Sequence, residues 1–315
     1  MSRRGQSGRG EIPLYHTATK KSIDILHKLD DQILPLFVQD PRPIFSDRRP
    51  HFVQYYQYIL CILLLTAPNN FAIIQIQGKE RKEIKMDKRI NYLIGLDTET
   101  CNGIMLDSGK LDLSQSLVYD LGWAVTDKRG KIYKTQSFVI AETFLGMKDV
   151  MKSAYYAEKI PNYWKDIKSG KRILASFWTV RKAFQNDLKE YGVKNVFAHN
   201  AGFDVRALNN TIRYLTKSRF RWFFPFGIEI WDTLKMARQT IGKQKSYIRF
   251  CVNNNYLTNH KKPQVRLTAE ILYRYISKDN NFIECHTGLE DVLIETKIMA
   301  KCIAQHKKME KRLYS

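Results

Sequence analysis

This sequence lacks long hydrophobic runs and paired cysteines, and it has far fewer acidic than basic residues. Its strongest apolar stretch, Tyr55 to Ala67, is shorter than the about 18 to 20 residues of a membrane span. It also lies too far inside the chain for an ordinary secretory signal. It reads as a buried helix or strand, and no membrane partner is expected. The five cysteines, Cys61, Cys101, Cys251, Cys285 and Cys302, share no repeated spacing, which excludes a disulfide framework and reads as reduced thiols in a cytoplasmic protein. Cys251, His260, Cys285 and His286 lack the paired short spacings of a zinc site. No internal repeat is present.

The imbalance of acids and bases gives a direction to the charge. Against 52 Lys and Arg stand 31 Asp and Glu, a net charge of +21 in 315 residues. A field of this sign favours polyanions, nucleic acid first and an acidic membrane surface second. Hydrophobic residues make up 44% of the chain, ample for one large domain or one domain with an extension.

Residues 1–85 read differently from the rest. A flexible basic tail, Ser2 to Gly10, opens a segment with no clean helical or strand period. Gly78 to Lys85 consists of residues with purine-rich codons and runs directly into Met86, as a bacterial ribosome-binding site does when translated in frame. The expectation is a poorly structured N-terminal extension over 1–85, with Met86 as the natural start and a folded domain over 86–315. Residues 86–315 alone keep a net charge of +16, from 39 basic and 23 acidic residues.

From Met86 onward the chain is organised around Tyr92 to Thr100. Leu93, Ile94 and Leu96 suggest a strand buried on both faces at the middle of a sheet. Residues i and i+2 of a strand share a face, so Asp97 and Glu99 project side by side at its end. Carboxylates held that close repel unless a cation sits between them, and hard oxygen ligands favour Mg²⁺ or Mn²⁺. An isolated Asp-x-Glu is also what a salt-bridged strand end looks like, so the assignment needs partners elsewhere.

The remaining pattern alternates strand and helix. Leu117 to Val125 and Ile132 to Ile140 read as an antiparallel hairpin closed by Thr126 to Gly130. Lys171 to Tyr191, with Ile173, Leu174, Phe177, Val180, Phe184 and Leu188 at helical spacing, reads as one helix stopped by Gly192. Val193 to His199 predicts a short strand, Ala201 to Leu215 a helix, and Ile228 to Leu234 a fifth strand leading into helix. The result is an α/β fold, a mixed five-stranded sheet flanked by helices.

Two further stretches supply acids. Asn200 suits an N-cap, which places Asp204 fourth in the following helix, where the dipole favours an anion. Thr287 and Glu290 form a Thr-x-x-Glu capping box, with Asp291 fourth in an amphipathic helix. His286 lies just outside that helix and can turn toward the same site. Each acid alone also reads as a dipole-complementing residue; in this order they make a specific pattern.

Asp97-Thr98-Glu99, His199-Asn200-Ala201-Gly202-Phe203-Asp204 and His286-x-x-x-x-Asp291 together resemble the motifs of the DEDDh 3′→5′ exonucleases of the ribonuclease H-like fold, over about Tyr92 to Gln305. That family includes polymerase proofreading subunits, ribonuclease T and oligoribonuclease. The resemblance implies that Asp97, Glu99, Asp204 and Asp291 hold two divalent ions, Mg²⁺ or Mn²⁺, with His286 as general base. It implies nucleotide contacts from Thr98, Thr100, Cys101, His199, Asn200 and Phe203, and a supporting Asp232 in Trp231-Asp232-Thr233-Leu234. Cys101 departs from the Thr usual at that position. The expected function is release of nucleoside monophosphates from single-stranded or frayed DNA 3′ ends in replication or repair, with a DNA polymerase or replication protein as partner. RNA trimming, or an idle docking module, are the alternatives. Basic and aromatic residues mingle in Lys217 to Phe226, which suits a single-stranded end or, for the aromatics, core packing beside the fifth strand.

Overall fold

The computed structural model describes Asp87 and residues 89–314, apart from 103, 106–110, 113, 153, 155 and 156. The expectations for residues 1–85, the apolar stretch Tyr55 to Ala67 and the start at Met86 lie outside the described residues.

A mixed six-stranded sheet forms the frame. Its central strand is β1 (Tyr92–Cys101), where Leu93 and Ile94 are fully buried. After the short hairpin β2 (Ile104–Met105) and β3 (Leu111–Asp112) come β4 (Leu117–Asp127) and β5 (Ile132–Ile140). β4 pairs antiparallel with both β1 and β5. The turn between β4 and β5 places Gly130 at φ +79°, and the Asp127 carboxylate accepts from the amides of Arg129 and Lys131 at 2.8 and 3.1 Å, so the turn satisfies its own polar groups.

Short helices α1 (Ala141–Phe144) and α2 (Lys148–Met151) and the longer α3 (Ile160–Ser169) lead to β6 (Ile173–Ala175) and α4 (Phe177–Glu190). Here the expectation of one helix from Lys171 is corrected. Ile173 and Leu174 pair parallel with Phe138 and Val139, adding a sixth, edge strand to the five expected. Two adjacent apolar residues fit both periods; the boundary signal was Ser176, whose hydroxyl accepts from the Thr179 amide and caps α4.

β7 (Asn195–Ala198) runs parallel to β1 and is followed by α5 (Gly202–Thr216), then β8 (Glu229–Asp232), parallel to β7. The chain ends through α6 (Thr233–Gln239), α7 (Lys245–Asn253), α8 (Ala269–Ser277) and α9 (Gly288–Ile303). Residues 311–313 lie along the outer edge of β8, with Leu313 N donating to Ile230 O at 2.8 Å, which covers an otherwise open strand edge.

Alternation along β1 divides the interior into two layers. Ile94 and Leu96 join Leu121, Trp123 and Phe138 under Val180 and Phe184 of α4 and Leu208 and Ile212 of α5. Leu93 and Phe197 meet Met236 of α6, Leu272 of α8, and Ile298 and Met299 of α9 on the other face. Among the described residues no helix is long and apolar enough to cross a membrane.

Candidate active site

The site forms where β1 outruns its parallel neighbour. β7 pairs with Leu93 to Gly95 only, so Asp97 and Glu99 extend past it on the face covered by α9. The β1–β4 ladder shifts register between Glu99 and Thr100, a bulge of the kind that re-aims side chains beside functional sites.

Asp204 reaches the site from the first turn of α5. Thr98, on the opposite face of β1 from its acidic neighbours, donates from its amide at 3.1 Å and its hydroxyl at 2.8 Å to Asp204 Oδ1. The N-cap is Ala201, so Asp204 is third in the helix where fourth was expected. Asn200 stands outside the helix at φ +64°, its amide donating to Asp232 Oδ1 at 3.1 Å, while Asp232 also accepts from Leu234 N and caps α6.

Asp291 arrives on α9, and glycine determines how closely. A Cβ on Gly122 of β4 would lie 2.1 Å from Leu289 N, and one on Gly288 would lie 2.7 Å from Gly122 N and 3.1 Å from Asp97 O. The two bare backbones let the head of α9 rest directly on the sheet. Asp120, buried and opposite Glu99 in the ladder, accepts from Gly288 N at 3.0 Å, Tyr163 Oη at 2.7 Å and Arg172 Nη1 at 3.1 Å. Arg172 Nη2 in turn holds Glu290 at 2.9 Å. The expected Thr287–Glu290 capping box is therefore not made. Glu290 is drawn to Arg172 and Lys171 and takes the Thr287 hydroxyl, leaving the Thr287 amide to donate to Asp291 Oδ2 at 3.1 Å.

Asp97, Glu99 and Asp291 thus offer oxygen atoms that all lie within 4.8 Å of one another. Glu295, one helical turn beyond Asp291, is a further acid that the sequence reading missed. It is buried, its Oε2 has no hydrogen-bond partner, and its charge bears on Asp97. A Glu interrupting the apolar stripe Val292, Ile294, Ile298, at i+4 from Asp291, was the available signal. Asp291 Oδ1 is likewise buried and unpartnered.

Burial first, then repulsion from Asp204, Glu295, Glu99 and Asp291, pushes Asp97 well above the usual carboxylate range. Glu99 is raised well above it too, by burial and then by Asp120 and Asp291. Burial raises Asp204 to about 7 and, joined by Glu284, raises Asp291 to about 8. Lys159, whose Nζ donates to Cys285 O at 2.6 Å, opposes the rise at Glu99 and Asp291. An all-carboxylate set with unpartnered buried oxygens is the donor set of a hard divalent cation.

The folded chain keeps protons on Asp204 and Asp291 that the unfolded chain releases near pH 4, so these groups cost stability as pH rises from about 4 to about 8. In EDTA, the melting temperature should fall across that window. Adding Mn²⁺ should raise it more at pH 8 than at pH 5, as read by differential scanning calorimetry. A chelated protein whose stability climbs over the same range would contradict the burial of these acids.

His286, at φ +49°, lies with its Nδ1 3.9 Å from Glu284 Oε2, in a second group formed with Glu270 and Glu284. His199 uses both ring nitrogens inside the protein, Nδ1 with Thr233 Oγ1 at 2.9 Å and Nε2 with Leu267 O at 2.8 Å. Cys101 is in the core, its thiol donating to Leu117 O and pushed up to about 12 by burial. Thr98 is committed to Asp204; Thr100 and Phe203 are half-buried and Asn200 is exposed.

No protein-family model matches the chain, and no curated protein does. Among solved structures it is similar to the nuclease domain of 3'hExo, a DEDDh family member, bound to rAMP. The identity there is 14% and the TM-score 0.41, over 72% of this chain and all of that one. It is similar to Exonuclease X in complex with 5' overhanging duplex DNA, at 17% identity and TM-score 0.29 over 68% of this chain and 92% of that one. It is also similar to E. coli Exonuclease I in complex with a dA16 oligonucleotide, at 14% identity and TM-score 0.36 over 68% of this chain and 41% of that one.

Proposed function

We propose that the chain is a metal-dependent 3′→5′ exonuclease acting on single-stranded or frayed DNA ends. The observation that carries this reading is the convergence of Asp97, Glu99 and Asp291 within 4.8 Å, with Asp204 and Glu295 beside them, in a chain of net charge +21. Asp204, Asp291 and Glu295 are buried and Asp97 and Glu99 half-buried, so carboxylates gather here in a chain whose acids are outnumbered by its bases. The direction of digestion rests on the resemblance of the three motifs.

Asp97, Glu99, Asp204 and Asp291 would hold two divalent ions. Bound there, such ions lower the pKa of water and neutralise charge on the phosphate. Thr98 fixes Asp204 with two hydrogen bonds, and the Asp120–Arg172–Glu290 network fixes the head of α9, so at least these two ligands are positioned before substrate arrives. His286 is kept neutral at physiological pH, because burial and then Lys159 lower its pKa, and it would take the proton of the attacking water. His286→Ala should slow turnover by about 10²- to 10⁴-fold while leaving the Mn²⁺-induced rise in melting temperature intact. Turnover at the wild-type rate would remove His286 from the mechanism.

Digestion of matched 5′-labelled DNA and RNA oligomers with Mg²⁺, Mn²⁺ or EDTA tests the function. Stepwise shortening of DNA with metal and none with EDTA is expected; preferential shortening of RNA reassigns the sugar. No shortening of either would leave a binding module.

A further inference from the structure

The segment between α5 and β8 sorts its aromatic residues in two. Phe223 is fully buried and packs with Phe177 and Phe184 of α4, and Phe224 joins the same core. Phe220, Trp222 and Phe226 instead stand in solvent at 76%, 59% and 107% relative exposure. Trp178 of α4 and Tyr214 of α5 are exposed as well.

Nearly every exposed ring carries a cation. Arg213 lies over Trp222 at 4.5 Å, Arg219 over Phe220 at 5.0 Å, Lys217 over Tyr214 at 4.1 Å and Arg181 over Trp178 at 5.4 Å. The backbone beneath is pinned. Arg181 donates to Phe223 O at 2.9 Å and Trp222 O at 3.1 Å, Arg213 Nε to Arg221 O at 3.2 Å, and Phe223 N to Asn209 Oδ1 at 2.9 Å. No acidic residue occurs between Asp204 and Glu229, whereas Arg206, Arg213, Lys217, Arg219 and Arg221 do.

We infer that this face is a stacking platform for single-stranded nucleic acid, with bases on Trp222 and Phe220 and phosphates on Arg219 and Arg221. It deepens the proposed function and rests on it: the platform would hold the body of the strand whose 3′ end the carboxylates cut. Fixed rings interleaved with guanidinium groups suit bases and phosphates together. A second copy of the chain is disfavoured as occupant, since two bodies of charge +21 repel. Asp204 and Arg213 stand nine residues apart on α5, about 14 Å along its axis. A strand stacked at about 3.4 Å per nucleotide covers that in about four nucleotides, so strands longer than this reach both.

The test is fluorescence anisotropy of the full chain with a 5′-labelled oligothymidylate of about 20 nucleotides, in EDTA so that the strand stays intact. Trp222→Ala should weaken binding by about fivefold or more, and Trp222→Phe should restore most of it. Arg219→Gln with Arg221→Gln should flatten the salt dependence by about 0.7 per residue, and affinity for a trinucleotide should not depend on Trp222. Wild-type affinity for the long strand in all of these variants, with unchanged thermal melting, would overturn the inference. So would a dimer-to-monomer change on Trp222→Ala with strand affinity intact, which assigns the face to self-association. The exonuclease reading fails separately: a chain that binds through Trp222 but never shortens the strand with Mn²⁺ keeps the platform and loses the chemistry.

Discussion

Asp97→Asn should lower metal-dependent cleavage by on the order of 10³-fold or more while raising the melting temperature of the metal-free protein. The two effects have one cause. Asp97 is half-buried and repelled by Asp204, Glu295, Glu99 and Asp291, and without a cation its charge is a liability among them. Asparagine keeps the shape and drops the charge, so the metal-free fold relaxes. It also removes a ligand from a centre expected to supply several kcal/mol of transition-state stabilisation, where each 1.36 kcal/mol is a factor of ten. Thermal melting in EDTA and a single-turnover rate in Mg²⁺ check both halves. An active variant, or one less stable without metal, would contradict the site.

The second large effect is expected at a residue with no side chain, the ladder partner of Asp97. Gly122→Ala places a methyl 2.1 Å from Leu289 N, 2.3 Å from Gly288 C and 2.4 Å from Leu289 Cα. All three are backbone atoms with no rotamer to yield. Ordinary contact is about 3.5 to 4.0 Å, so the head of α9 must retreat by about 1.5 Å. The 3.0 Å bond from Gly288 N to Asp120 breaks, and Asp291 and Glu295 move with the helix. Overpacking of this kind costs about 1 to 3 kcal/mol and the lost bond to a buried carboxylate about 1.5 to 3. Stability should fall by about 3 to 5 kcal/mol in urea titration. Activity should fall on the order of 10²-fold, the penalty of a 1 Å misplacement. Wild-type behaviour on both counts would show that α9 does not depend on this contact.

These two residues also mark where the sequence was legible. Asp97 and Glu99 follow from strand period alone, and the structure puts them on the α9 face of the central strand. β4, β5, β7 and β8 follow from alternation and turn residues, and Asp204 and Asp291 from their places after apolar elements. β6 was lost because three residues carry no period of their own. The network that docks α9 was not legible, since Arg172 meets Asp120 across 52 residues and Glu290 across 118, and no local pattern encodes such pairing. Lys159, 126 residues from the carbonyl it holds, was missed for the same reason. In Lys217 to Phe226, core packing and an exposed face were alternatives, and the chain uses both. Phe223 goes inward and Phe220 and Trp222 outward, a division set by Asn209 and Arg181, which fix the backbone from other helices.

His286, the proposed base, stands in a group separate from that of Asp97, Glu99 and Asp291. It shares its surroundings with Glu270 and Glu284, so two acidic groups compete for any cation that enters. Manganese soaked into crystals of the wild-type chain and located by anomalous diffraction distinguishes them. The expected result is a peak among the carboxylates of Asp97, Glu99 and Asp291. A peak confined to Glu270, Glu284 and His286, or none beside Asp97, would contradict the assignment of the buried acids as the metal centre.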